Sequence, residues 1–288
     1  MTVYHLETLF PNELQSRIET MPVLVLPFGT IEWHSYHLPL GLDGIVAQGI
    51  GERIADGLDA VLAPVSYWAA GGVPYPYTLK MSAAVIEPLL VAVFEQFGEM
   101  GFKLIVAFTG HFGLEQTLIL KRAALTVMQR SPVTILPITE YDFVSEVYKG
   151  DHAGIGETSL LWTLRPDLVK LDSVPPSEAL DGVLSEDPRG KASAERGAEL
   201  LALIGQRATE TVSRMLSETP VQRARYIEAL DIAVRVLSTT FVQRQTLPKA
   251  SVPSVTTAAY LTYCQAMQRG DYDEAKAHIE RKFANLSK

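Results

Sequence analysis

Cysteine is almost missing from this 288-residue chain, where Cys264 stands alone. One thiol cannot close an intramolecular disulfide, so the fold must rest on its core, and a reducing compartment is expected. Cys264 lies in an apolar helical pattern, which reads as a buried, inert thiol rather than a nucleophile. Charge is also scarce: only 20% of residues carry it, no run of Lys or Arg occurs, and the formal net charge is −8. Phosphate backbones are bound by clustered cations, so nucleic acid is not expected as a partner. No unbroken apolar stretch approaches the roughly 18 residues of a membrane helix. The opening Met1-Thr2-Val3-Tyr4-His5 lacks the basic and apolar regions of a signal peptide. A soluble, cytoplasmic protein with no membrane partner is the expectation. Internal repeats and low-complexity tracts are absent as well. What the chain has is apolar residue, 47% of the total, enough for a substantial core in one large or two small domains.

Short apolar runs alternate with helical spacing over the first 170 residues. Strands are expected at Val23–Pro27, Ala60–Val65, Leu104–Phe108 and Val133–Pro137. Helices are expected over Asp43–Leu58, Ile86–Met100 (with Gly101 as a terminating glycine), about Leu114–Arg130, and from Glu157 to Leu164. Four strands joined by helical crossovers imply a largely parallel sheet covered on both faces. Beyond Pro175-Pro176 and Asp187-Pro188 the chain reads as helical, over Lys191–Leu216 and again from Arg223 onward, with breaks near Leu247-Pro248 and Val252-Pro253. The organisation expected is an α/β domain over residues 1–220 and a helical extension over 221–288, packed on it or at a subunit interface.

Three polar clusters follow three of the strands. Glu32, His34, His37 and Asp43 fall within twelve residues after the first strand, His111 follows the third in Thr109-Gly110-His111-Phe112-Gly113, and Asp151, His152 and Glu157 follow the fourth. Four of the six histidines lie in these clusters; His5 and His278 do not. Ligands of open α/β sheets bind beyond the carboxyl ends of the strands, so the clusters should converge. Imidazole with carboxylate suits zinc, iron or manganese. Glu32 and His34 are two apart and would point the same way in an extended segment. Each residue also has a plainer role: Asp43 could cap the helix it precedes, His111 could sit in an anion-binding turn, Glu157 could complement a helix dipole, and His34 could be a hydrogen-bonded core histidine. Trp68, Tyr75 and Tyr77 flank Gly71-Gly72 in a loop that could wall a pocket, meet another subunit or pack as any loop does.

The run Pro27-Phe28-Gly29-Thr30-Ile31-Glu32-Trp33-His34-Ser35-Tyr36-His37-Leu38-Pro39-Leu40-Gly41-Leu42-Asp43 resembles the opening motif of the creatininase (creatinine amidohydrolase) family. Thr109–Gly113 is similar to its second motif, and His152-Ala153-Gly154-Ile155-Gly156-Glu157-Thr158-Ser159 to its third. The resemblance implies a three-layer α/β/α sandwich on a mainly parallel sheet, here with a helical C-terminal extension. It implies a metal-dependent amidohydrolase, homo-oligomeric and often hexameric, cleaving C–N bonds in small cyclic or linear amides. Two divalent ions are implied, zinc first, with iron or manganese as alternatives. Carried over, Glu32, Asp43 and His111 would hold one metal and His34, Asp43 and Glu157 the other. His152, with Glu157, would serve catalysis, and His37 would orient a ligand or touch substrate. Creatinine-opening relatives take a ligand carboxylate two residues after the second-motif histidine; here that residue is Gly113. This favours the deformylase-like or peptidase-like branches. Trp33, Tyr36 and Phe112 replace smaller or polar residues beside the ligands, so with Trp68 and Tyr77 they are the expected substrate-binding aromatics. A phosphoester or phosphosugar enzyme and a non-catalytic binding protein are the competing readings. The first needs cations near the site, for which Lys80, Lys149 and Arg189 are the candidates.

Overall fold

The computed structural model of the chain describes residues 3–246 and 258–286. Five strands form one sheet: β1 (Tyr4–His5), β2 (Val23–Phe28), β3 (Val61–Leu62), β4 (Leu104–Thr109) and β5 (Thr134–Thr139). Their order is β1-β3-β2-β4-β5, and every pairing is parallel. β2 and β4 are buried along their whole length, as strands covered on both faces must be. Each fully buried Val or Leu contributes about 1.5–3 kcal/mol. A slip of one residue would exchange the faces of all of them, which locks Val25 opposite Val106 and Phe28 opposite Thr109.

Ten α-helices occur among the described residues, besides three short 3-10 turns: α1 (Pro11–Thr20), α2 (Leu42–Leu58), α3 (Ala83–Glu99), α4 (Leu114–Met128), α5 (Glu140–Val144), α6 (Ile155–Leu164), α7 (Ala194–Met215), α8 (Pro220–Thr246), α9 (Ala258–Arg269) and α10 (Tyr272–Leu286). The chain leaves β2 through α2 toward β3, then returns through α3 to β4 on the other side of β2. Right-handed crossovers run in opposite directions therefore place α2 on one face and α3 and α4 on the other. α6 and α7 join α2, and α8 packs on α4. The result is an α/β fold with a parallel central sheet, flanking helices and a helical C-terminal extension. Side chains of α8, α9 and α10, such as Leu237, Tyr260 and Ile279, belong to the same hydrophobic cluster as the sheet. Tyr226 Oη of α8 donates to the Ile135 carbonyl of β5 at 2.8 Å.

The structure departs from the sequence expectation in small ways. β1, α1 and α5 were not expected, because two- to ten-residue elements carry little periodicity. The strand expected over Ala60–Val65 pairs only at Val61–Leu62. Gly101, at φ +108°, follows α3 as its terminating glycine. The expected helix breaks near Leu247-Pro248 and Val252-Pro253 lie outside the described residues. Cys264 is buried, and its thiol donates to Asp142 Oδ1 at 3.1 Å. Among the described residues, no helix is long and apolar enough to cross a membrane.

Candidate metal centre

The strand order creates a cleft. β2 and β4 are neighbours whose onward connections diverge, so their carboxyl ends open between two crossovers. Such switch points are where open α/β sheets bind ligands. Glu32 and His34 follow β2, His111 follows β4, and Glu157 lies in the first turn of α6. Asp43, in the first turn of α2, does not cap it: neither carboxylate oxygen accepts a backbone hydrogen bond. Its carboxylate lies between two imidazoles instead. Asp43 Oδ1 is 2.9 Å from His34 Nε2, and Oδ2 is 3.2 Å from His111 Nδ1. Glu32 Oε2 is 2.9 Å from His111 Nδ1, and Glu157 Oε2 is 3.7 Å from His34 Nε2.

Three triads result, each with its potential ligand atoms within 4.8 Å of one another: Glu32, Asp43 and His111; His34, Asp43 and Glu157; and Glu32, His34 and His152. All six residues but His152 are buried. Three buried carboxylates against two imidazoles is a surplus of negative charge in a dry place, which a dication would relieve. The protonation pattern carries the same tension. Burial and the nearby charges of Asp151, Asp43 and Glu140 push Glu157 well above the carboxylate range. Burial disfavours charge on His111, yet Glu32 and Asp43 outweigh it and drive its pKa up to about 10. Burial likewise disfavours ionised Asp43, but His34 and His111 hold its carboxyl below the usual range. Where a cation is demanded this strongly, a divalent ion can replace the protons.

Backbone contacts aim the ligands. His34 Nδ1 faces the Glu32 carbonyl at 3.0 Å, and His111 Nε2 faces the Ala70 carbonyl at 3.2 Å. A carbonyl accepts only from N–H, so each ring fixes one nitrogen there and turns the other toward the carboxylates, the arrangement that orients metal-binding histidines. Val73 N–H donates to Glu32 Oε1 at 2.6 Å, and Ala153 N–H, at φ +52°, donates to Glu157 Oε2 at 2.6 Å. Asp151 accepts from Gly156 N–H and Glu157 N–H, which fastens the start of α6. Two glycines let the chain close. A Cβ on Gly29 would lie 2.2 Å from Gly44 N, and one on Gly110 would lie 2.3 Å from the Asp43 carbonyl oxygen.

A cavity of about 530 Å³ opens beside the cluster. Glu32, His111, His152 and Glu157 line it, as does Phe112. The His152 and His34 rings lie 4.5 Å apart. His152 Nε2–H donates to the Trp33 carbonyl at 2.8 Å, and burial with the charge of His34 lowers its pKa to about 4. The other expected substrate residues are placed differently. Trp33 packs edge-on to Tyr36 and parallel to Tyr75, with Tyr77 beside it. These rings do not line the cavity, nor does Trp68, which is 52% exposed. His37 is buried against α6, its Nε2 3.1 Å from Thr158 Oγ1. Side chains of a tight loop diverge, so spacing alone could not assign them a direction. Sequence reasoning also missed Glu140, buried at the carboxyl end of β5 and pushed well above the carboxylate range by burial and by Asp151 and Asp43. Its position right after a parallel strand was the available signal. The carbonyl of Ala70, the amide of Val73 and the pocket residue Arg244 had none.

The family model described as creatinine amidohydrolase matches residues 7–212. This chain belongs to the creatinine amidohydrolase family. Within the family it is 26% identical over 178 residues to the creatinine amidohydrolase of Pseudomonas putida, covering 53% of this chain and 68% of that protein. It is 30% identical over 189 residues to the mycofactocin precursor peptide peptidase of Mycolicibacterium smegmatis, covering 60% and 72%. A solved creatinine amidohydrolase superposes with a TM-score of 0.66 at 20% identity, over 76% of this chain and all of that one. A creatininase named as a manganese form superposes at 0.65, and a mutant named as a zinc–zinc type at 0.60. These superpositions speak for the fold. Residue clusters of this kind in a creatinine amidohydrolase family member fit a metal-dependent hydrolase.

Proposed function

We propose that this protein is a divalent-metal-dependent amidohydrolase that cleaves a C–N bond in a small, non-peptide amide. The observation that carries the reading is the buried Asp43 carboxylate, set between His34 and His111 at 2.9 and 3.2 Å with Glu32 and Glu157 alongside. Glu32, Asp43 and His111 would hold one ion, and His34, Asp43 and Glu157 a second, with Asp43 shared. Zinc is the first choice for this donor set, with manganese or iron as alternatives. Divalent ions there would lower the pKa of water and polarise a carbonyl oxygen.

The chain's own residues supply the rest. His152 lines the cavity and enters neutral, because a pKa near 4 leaves it unprotonated at pH 7. With Nε2–H committed to the Trp33 carbonyl, Nδ1 is the nitrogen able to take a proton and hand it to the leaving amine. Phe112 offers an apolar wall. Gly113 stands where creatinine-opening relatives place a ligand carboxylate, so the amide is one other than creatinine, and the deformylase-like or peptidase-like branch is the better comparison.

Metal content per chain decides the matter, measured on full-length protein purified without chelator, for wild type and Asp43→Ala. Near two equivalents in wild type, both lost in a folded Asp43→Ala, supports the bridged pair and opens an amide screen scored by amine release. A folded wild type that takes up little metal even after reconstitution would sink the hydrolase reading.

A further inference from the structure

The cavity wall holds a cation that none of the three motif loops supplies. Arg244, in the last turn of α8, lines the same cavity as Glu32, His111 and Glu157. Phe241 and Gln245, three residues before it and one after, line the cavity with it, so one face of α8 is presented there. α8 carries four arginines. Arg223 donates to carbonyls at the end of α4 and in the loop before β5, Arg225 pairs with Asp273, and Arg235 pairs with Asp231. Arg244 has no ion-pair partner among the described residues, and its Nε, unlike the guanidinium of Arg223, is buried with no hydrogen-bond acceptor. A buried donor without an acceptor is rare in a native fold and calls for a partner. A helix C-terminus favours a cation through its dipole, but that explains a solvated arginine, not one set into a cavity wall. The carboxylates of the metal cluster share the cavity yet lie beyond ion-pair distance of the guanidinium, so they do not neutralise it.

We infer that Arg244 is a substrate-binding residue that clamps an oxyanion, a carboxylate or a phosphate, on the amide substrate. The inference rests on the amidohydrolase reading for which group of the substrate faces the metal cluster. The substrate is then an amide carrying a separate anionic group, with apolar surface against Phe112, Leu114, Leu184 and Phe241. A planar guanidinium grips such an oxyanion through two parallel hydrogen bonds, which lysine cannot copy. Because α8 begins after the residues matched by the family model, this contact belongs to the chain's own C-terminal helices. They complete the pocket rather than merely covering the sheet.

Binding, not turnover, tests the idea. Calorimetric titrations of metal-loaded, full-length protein would use ω-amide carboxylates from malonamate to adipamate, the matching neutral diamides, and phosphonopropionamide. At least one anionic amide should bind wild type about tenfold to a hundredfold more tightly than its diamide, the range of a charge-assisted contact. Arg244→Gln should erase that preference by weakening the anionic amides far more than the diamides, and Arg244→Lys should restore only part of it. A stronger response to the phosphonate than to the carboxylates assigns phosphate as the anion, and the reverse assigns carboxylate. The inference is overturned if no anionic amide outbinds its diamide, or if the preference survives in Arg244→Gln, which would place the anion on the metals. An Arg244-dependent preference in a protein that hydrolyses no amide would strike the reaction assignment alone; amide hydrolysis indifferent to Arg244 would strike this inference alone.

Discussion

Replacing Gly110 by alanine should cost this protein its metal before it costs its fold. The added Cβ would sit 2.3 Å from the Asp43 carbonyl oxygen and 3.1 Å from its carbon. Reaching an ordinary 3.4 Å contact requires about 1 Å of displacement. The obstacle is backbone, not a side chain that can swing aside. α2 cannot slide away either, because Val46, Ala47 and Ile50 are buried in the core. Overpacking of this kind costs roughly 1–3 kcal/mol of stability. Functional geometry is less forgiving, since sites tolerate only about 0.5 Å of misplacement. Moving Asp43 disturbs its approach to His34 and to His111 together, so metal affinity should fall by at least the roughly 10–100-fold seen when supporting residues are lost. The control is Gly113→Ala in the same loop. Its Cβ would meet nothing nearer than His111 Nε2 at 3.6 Å, at an ordinary negative φ of −53°. Chelator-competition titrations and thermal melts would be run on both variants. Wild-type affinity and melting in Gly110→Ala, or equal damage from Gly113→Ala, would refute the argument that glycine is there to seat Asp43.

Other consequences are checkable. Burial and the charge of His34 lower the His37 pKa to about 4 from an ordinary 6.5, so the unfolded chain binds the extra proton first as pH falls. The stability His37 contributes is therefore complete above about pH 6.5 and drains away toward pH 4. Urea unfolding should show a loss of up to about 2 kcal/mol between pH 7 and 5, diminished in His37→Gln; an identical pH slope in that variant would contradict the burial argument. Tyr226→Phe strips the Ile135 carbonyl of a buried donor and should destabilise by about 1–2 kcal/mol, with metal content unchanged. Denaturant midpoints equal to wild type would show that α8 is not anchored to β5 through this bond.

Much of this architecture could be read from local patterns. Val23–Phe28, Leu104–Thr109 and Thr134–Thr139 are unbroken apolar runs of strand length, and only burial on both faces explains them. That alone demands a parallel sheet with helices on each side. The placement of Glu32, His34 and His111 directly after such runs made them candidates for one site, because parallel strands all end at the same edge. Short elements escaped for the converse reason: β1 pairs over two residues and α5 spans five, too few for a period to register.

Strand-length apolar runs, helix periods and the residues at strand ends are properties of neighbours in the chain, so the sequence alone determined the fold class and the pool of ligand candidates. Tertiary structure decided which side chains meet. The sheet order put the carboxyl ends of β2 and β4 side by side and made the cleft. Backbone direction within tight loops buried His37 against α6 and stacked Trp33 on Tyr75, away from the cavity, a choice that residue spacing does not encode. Arg244 reaches a pocket whose other charged walls lie at least 87 residues earlier, at Glu157 and before, and no local pattern can announce a contact formed only when α8 folds back over the sheet.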